Sequence, residues 1–160
     1  MNWNDEIENF KEYLKLQRGL SENSIKAYMN DLDKLTKSLE LNGRDVVPED
    51  VTLQDLRNAV ADLAKNGMGS RTQARIISGI KSFFKYLMIE EKIEKDPTEL
   101  LESPKVGRKL PDVLSLGEIE RILLQIDVDT QEGLRNRAII ATLYSSGLRV
   151  SELVNLKISN

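Results

Sequence analysis

The sequence predicts an all-α chain, with a four-helix unit over residues 1–102 and a shorter helical segment over 112–160. Three observations carry this. Apolar residues recur at spacings of three and four almost throughout, the period of an amphipathic helix. Serine, threonine and glycine stand where such helices should open and close. Between the two segments the texture changes to Ser103-Pro104-Lys105-Val106-Gly107-Arg108-Lys109-Leu110-Pro111. That run has little to bury and is stiffened by proline near both ends, so 103–111 reads as a linker.

Each element follows from its own residues. Trp3, Ile7, Phe10 and Leu14 predict a helix over about 3–17, closed by Gly19, with Ser21 capping the next. Ile25, Tyr28, Met29, Leu32, Leu35 and Leu39 carry that second helix to the neighbourhood of Gly43. The stretch 44–51, with Pro48, is a loop. Thr52 then caps a helix bearing Leu53, Leu56, Val60 and Leu63, which stops at Gly67. Ser70 opens the longest element, whose Ile76, Ile77, Ile80, Phe83, Phe84, Leu87 and Met88 face inward. Asp96-Pro97 is expected to begin a short helical turn reaching Glu102.

Beyond the linker, Ser115-Leu116-Gly117-Glu118 matches a capping box before Ile119, Ile122, Leu123 and Ile126. A polar loop over 127–132 precedes a helix from about Leu134 to Ser146, ended by Gly147, and Val150–Leu156 starts one more. Tyr144 takes an apolar helix position and is expected in a core. This segment has few apolar anchors and no closing element before Asn160, so it reads as unfinished. It is expected to expose Ile119, Leu123, Ile140 and Leu143 and to be partly molten, while 1–102 folds cooperatively.

Composition excludes several kinds of chemistry. The 160 residues include no cysteine and no histidine. Disulfides, thiolate nucleophiles, Ser–His pairs and His-containing zinc sites are therefore ruled out. The longest apolar runs, Tyr86–Ile89 and Ala138–Ala141, are far too short to span a bilayer. The start, Met1-Asn2-Trp3-Asn4-Asp5-Glu6, lacks the basic and apolar regions of a signal peptide. A reducing, cytoplasmic setting without membrane contact is expected.

The formal net charge of −3 argues at first against a polyanionic partner, but the charge is unevenly spread. Residues 63–89 hold Lys65, Arg71, Arg75, Lys81 and Lys85 and no acid. Arg71 and Arg75 are four apart, as are Lys81 and Lys85, so each pair stacks on one helix face, largely opposite the apolar set. Such a helix can lie along phosphates; it can equally be the solvated face of an ordinary bundle. The linker adds Lys105, Arg108 and Lys109. Farther on, Gly147 turns the chain so that Arg149 falls in or beside the first turn of a helix. A guanidinium there can hold a phosphate bidentately, or simply pair with Glu152.

Leu143-Tyr144-Ser145-Ser146-Gly147-Leu148-Arg149-Val150-Ser151-Glu152-Leu153 closely resembles the first catalytic-arginine motif of the tyrosine recombinase (phage integrase) family. Gly19-Leu20-Ser21-Glu22-Asn23-Ser24-Ile25-Lys26-Ala27-Tyr28, with Asp31-Leu32, is similar to that family's N-terminal core-binding domain. Ser70-Arg71-Thr72-Gln73-Ala74-Arg75 and Phe83-Phe84-Lys85-Tyr86-Leu87 resemble its DNA-facing helix. Asp96-Pro97, Ser103-Pro104-Lys105 and Leu110-Pro111 match the interdomain stretch of the Xer branch, which resolves chromosome dimers. The order is right over essentially the whole chain.

The resemblance implies an orthogonal four-helix, SAM-like core-binding domain followed by the first helices of a mainly α catalytic domain. It implies double-stranded DNA as partner and strand exchange through a 3′-phosphotyrosyl intermediate. The covalent intermediate retains the bond energy, so neither metal nor nucleotide cofactor is implied. By match to the motifs, Arg149 is the first catalytic arginine and Glu152 an acidic residue orienting it. Lys26, Arg71, Arg75, Lys81 and Lys85 are the implied DNA contacts, joined by Lys105, Arg108 and Lys109. The family's lysine hairpin, His-x-x-Arg box and nucleophilic tyrosine have no counterpart here. Tyr13, Tyr28, Tyr86 and Tyr144 all stand outside the nucleophile's context. The chain is therefore expected to bind DNA without cleaving it and to be monomeric in solution, with a partner recombinase protomer joining only the full-length protein. A non-catalytic DNA-binding or regulatory module, and an α-helical protein-interaction module, are the alternatives.

Overall fold

The computed structural model describes residues 1–107 and 110–157, and the chain divides into two compact units, Met1–Arg108 and Lys109–Asn160. Every helix and turn among the described residues is α or 3-10, with no strand.

The first unit holds α1 (Trp3–Leu16), α2 (Glu22–Leu41), α3 (Leu53–Lys65) and α4 (Ser70–Ile89), with a 3-10 turn at Pro48–Asp50. The predicted caps form. Ser21 Oγ accepts the Ser24 N–H, and Gly19, Gly43 and Gly67 take positive φ after the first three helices. α2 equals α4 in length, at 20 residues each, because nothing between 22 and 41 breaks it. α2 packs on α1, α3 and α4, and α3 also packs on α4.

The core between them is aromatic at one end. Phe83 stacks on Trp3 at 5.7 Å between centroids and meets Phe10 edge-on at 5.4 Å. Trp3 Nε1 donates to the Val46 carbonyl at 2.7 Å, which ties the 44–51 loop to α1. Leu32, Leu35, Leu56, Ile76, Ile77, Ile80 and Leu87 fill the rest and are fully buried.

Two expectations fail in this unit. Met88, expected to face inward, is 36% exposed, because it falls beside the outer face of α4 in the helix's last turn. Residues 97–100 form a turn, and no helix runs from 96 to 102. Asp96 Oδ1 accepts the Thr98 N–H at 2.7 Å and the Thr98 hydroxyl at 2.6 Å. A side chain that bonds its own backbone two residues on competes with helix propagation. Burial of Thr98 and Leu101 then anchors the turn against the core.

The α2–α3 connection carries a charged lock. Asp55 closes a capping box with Thr52 and accepts two bonds from the Arg44 guanidinium, at 2.9 and 3.1 Å. The Arg44 contact, helped by the Thr52 bonds, holds the Asp55 carboxyl below the usual carboxylate range. A carboxylate whose folded pKa is depressed adds stability above its unfolded pKa of about 4, and that stability is lost as pH falls through the folded value. Asp55→Ala is expected to cost about 1 kcal/mol at pH 7. The difference from the parent should shrink below about pH 4, as read by chemical denaturation across pH. A difference constant with pH would contradict this assignment.

The second unit holds α5 (Leu116–Leu124), α6 (Gln131–Ser146) and α7 (Val150–Val154), with α5 and α7 each packing on α6. The Ser115–Glu118 capping box forms as predicted. α6 begins three residues earlier than its apolar pattern indicates, because Thr130 Oγ1 accepts the Gly133 N–H at 3.0 Å and caps it there. α7 is shorter than expected, the Asn155 side chain donating to the Ser151 carbonyl at its end. No apolar side chain among the described residues of this unit is buried. Ile119, Leu123, Ile140 and Leu143, expected to be exposed, are half-buried against neighbouring helices. Leu116, Ile122, Leu124, Leu134, Val150 and Val154 are among the exposed ones. Tyr144, expected in a core, is 50% exposed, because the unit has no core to receive it. No helix among the described residues is long and apolar enough to cross a membrane.

Candidate nucleic-acid interface

α4 positions its cations by simple helical geometry. At about 100° per residue, Arg71, Arg75, Lys81 and Lys85 fall within an arc of roughly 120°. The buried Ile76, Ile80, Phe83, Phe84 and Leu87 occupy the opposite side. Ala74, Ser78 and Ser82 lie in the same arc as the cations. The solvent face of α4 is thus a low floor of small residues bordered by long cationic side chains.

The four cations differ in their surroundings. Arg71, Arg75 and Lys85 are exposed and Lys81 is half-buried. Among the described residues Arg71, Lys81 and Lys85 make no ion pair; Arg71 Nη2 reaches the Gly107 carbonyl only at 3.5 Å, the outer limit of a hydrogen bond. Arg75 is paired. Its Nη1 donates to Asp31 Oδ2 at 2.6 Å, across from α2. A segment without acids in sequence therefore meets an acid in space. Lys65, the fifth cation of that segment, pairs with Asp62 at 3.3 Å.

Asp31 is the functional candidate that sequence reasoning passed over. Its side chain is 3% exposed, and burial pushes its carboxyl above the usual range against the opposing pull of Arg75. One signal was available. Asp31 sits at the edge of α2's apolar stripe, between Tyr28 and Leu35, where a charge needs a partner.

The remaining predicted residues are dispersed. Lys26 is exposed and borders a separate groove between α1 and α2 with Lys11 and Lys15. Lys105 is exposed in the extended segment after the core. Arg108 and Lys109 lie outside the described residues. In the second unit, Gly147 ends α6 at φ 66° and Arg149 becomes the residue before α7. The Arg149 N–H donates to Glu152 Oε2 at 2.7 Å and its Nη1 to Oε1 at 3.2 Å. The structure thus joins Arg149 and Glu152, with the arginine side chain 82% exposed. Tyr13 and Tyr86 meet at a tilt with centroids 5.0 Å apart and Tyr28 meets Phe10 edge-on, so these three hydroxyl-bearing rings serve the core of the first unit.

Residues 7–91, spanning all but the first turn of α1 through the end of α4, match the family model "Phage integrase, N-terminal SAM-like domain". The chain belongs to the phage integrase family of tyrosine recombinases. Its all-helical fold agrees with the family's SAM-like core-binding domain. Tyrosine recombinase XerD of Listeria monocytogenes serovar 1/2a is 39% identical over 157 residues, covering 98% of this chain and 53% of that protein. XerD of Oceanobacillus iheyensis is 36% identical over 154 residues, with 96% and 52% covered. The chain spans about half the length of these curated relatives. Among solved structures, XerA recombinase superposes with a TM-score of 0.52 at 29% identity, over 99% of this chain and 51% of that one. The Tn1549 transposon integrase, solved with circular intermediate DNA, superposes with a TM-score of 0.66 at 19% identity, over 99% and 50%, and so shares the fold.

Proposed function

We propose that this chain is the DNA-binding portion of a site-specific tyrosine recombinase and that α4 is the helix that grips the duplex. The observation carrying this reading is the row of Arg71, Arg75, Lys81 and Lys85 over the small-residue floor of Ala74, Ser78 and Ser82. Long cations at the borders reach phosphates, and short side chains between them let the helix approach a groove or backbone closely. A solvated bundle helix needs no such floor and normally mixes its cations with acids. The family membership and the DNA complex of the Tn1549 integrase support the same partner.

In this reading residues 1–102 are the core-binding domain, 103–111 the linker, and 112–160 the first helices of the catalytic domain. Lys26, Lys105, Arg108 and Lys109 supply further contacts with phosphates. Arg149 is the first of the arginines that neutralise charge developing on the scissile phosphate, and Glu152 holds its guanidinium by one corner. The chain has no histidine to shuttle a proton, and no tyrosine in it takes the nucleophile's place. It binds duplex DNA without breaking it.

The test compares charge reversals on two faces. Lys85→Glu removes a cation from the α4 row, whereas Lys37→Glu disrupts the Lys37–Asp33 pair elsewhere on α2. Binding to a fluorescent duplex at low salt is expected to fall roughly tenfold or more for Lys85→Glu and less than threefold for Lys37→Glu. Equal losses would mean that bulk charge, not the α4 face, governs binding. A protein–DNA adduct formed by the parent chain on a nicked duplex would contradict the non-cleaving part.

A further inference from the structure

The contact between Asp31 and Arg75 is built at visible cost. Asp31 is 2% exposed, and among the described residues its Oδ1 has no hydrogen-bond partner. Gly79 stands in the interior of α4, where glycine weakens a helix. A Cβ at that position would lie 3.0 Å from Asp31 Oδ2 and 3.2 Å from Asp31 Cβ, close enough that the carboxylate would have to give by a few tenths of an ångström. A buried carboxylate, an unsatisfied oxygen and a mid-helix glycine thus converge on one arginine. That arginine remains 46% exposed and opens onto a groove lined by Ser24, Tyr28 and Ser78.

The arrangement works against simple grip. A carboxylate beside Arg75 cancels part of the positive charge that draws phosphates to α4. What it supplies is orientation. With Nη1 tied to Asp31, the planar guanidinium is held in place while its remaining donors make no hydrogen bond among the described residues. Fixed orientation matters little for a phosphate, which any nearby cation satisfies. It matters for a base edge, where two donors must meet two acceptors in a fixed plane.

We infer that Asp31 is a positioning residue that holds Arg75 to read a base edge of the duplex, most simply guanine O6 and N7, while Arg71, Lys81 and Lys85 contact phosphates. The inference rests on the DNA-binding reading of α4 and adds a division of labour along the helix.

The test is selection of the intact chain against a random-sequence duplex library, followed by sequencing, for the parent, Asp31→Asn, Arg75→Lys and Arg71→Ala. The parent is expected to enrich a site with one fixed G·C pair, favoured roughly tenfold over other pairs. Asp31→Asn and Arg75→Lys are expected to bind unselected duplex within about threefold of the parent but to lose that preference, because each keeps or raises the charge and loses the oriented fork. Arg71→Ala is expected to keep the preference and weaken binding to all sequences alike. Arg75→Lys changes an exposed side chain and carries the test if circular dichroism shows that Asp31→Asn does not fold. Retention of the preference in Arg75→Lys, or in folded Asp31→Asn, would overturn the inference. So would a parent that binds duplex with no sequence preference, which leaves the grip of α4 standing. A parent that binds no duplex at low salt would remove both.

Discussion

Phe83→Ala is expected to destabilise the first unit severely. Phe83 is fully buried and touches aromatic partners on three sides, with Trp3 stacked at 5.7 Å and Phe10 and Phe84 edge-on at 5.4 and 5.5 Å. Removing such a ring loses its transfer free energy and leaves a cavity that a bundle of long helices closes poorly, about 3–5 kcal/mol in total. The ring is also the meeting point of α1 and α4, so its loss frees Trp3 and, through the Trp3–Val46 hydrogen bond, the loop before α3. Domains of this size hold roughly 5–15 kcal/mol in all, so the loss removes a large share of the unit's stability.

The measurement is amide hydrogen exchange on the intact chain. Protection across 71–89 should collapse in Phe83→Ala. Amides of 134–146 should exchange alike in the parent and the variant, and faster than 71–89 of the parent, because the second unit buries no apolar side chain among its described residues. Protection over 134–146 matching that of 71–89 in the parent would contradict the account of the second unit.

Helix positions were legible because the period and the punctuation agree. Phe10, Leu14, Leu32, Leu35, Ile80 and Leu87, all assigned to inner faces by spacing, are buried. Ser21, Thr52 and Ser115 cap the helices they precede. Boundaries failed where a side chain outbid the apolar pattern, as with Thr130 extending α6 and Asp96 folding its neighbours into a turn. Tyr144 failed for a different reason. Periodicity assigns a residue to a face, but cannot say whether anything covers that face.

The candidate site was legible as a row and illegible as a network. Counting charges along 63–89 finds the cations of α4, since helical spacing alone brings them together. It cannot find Asp31, 44 residues from Arg75, because only the packing of α2 on α4 makes them neighbours. Gly79 marked the place. A glycine inside a long amphipathic helix signals close approach of something, and here that is the Asp31 carboxylate.

The proposed grip of α4 on duplex DNA through phosphate contacts makes binding depend on salt, and that dependence is the decisive measurement. The dissociation constant for a duplex would be measured by fluorescence anisotropy across a range of salt, for the intact chain and for Arg71→Ala/Lys85→Ala. Each phosphate contact contributes roughly 0.9 to the slope of log affinity against log salt, so losing two lowers the slope by about 2. A steep line is expected for the parent and a shallower, weaker one for the double variant. Coincident lines, or a parent whose affinity is independent of salt, would contradict that grip.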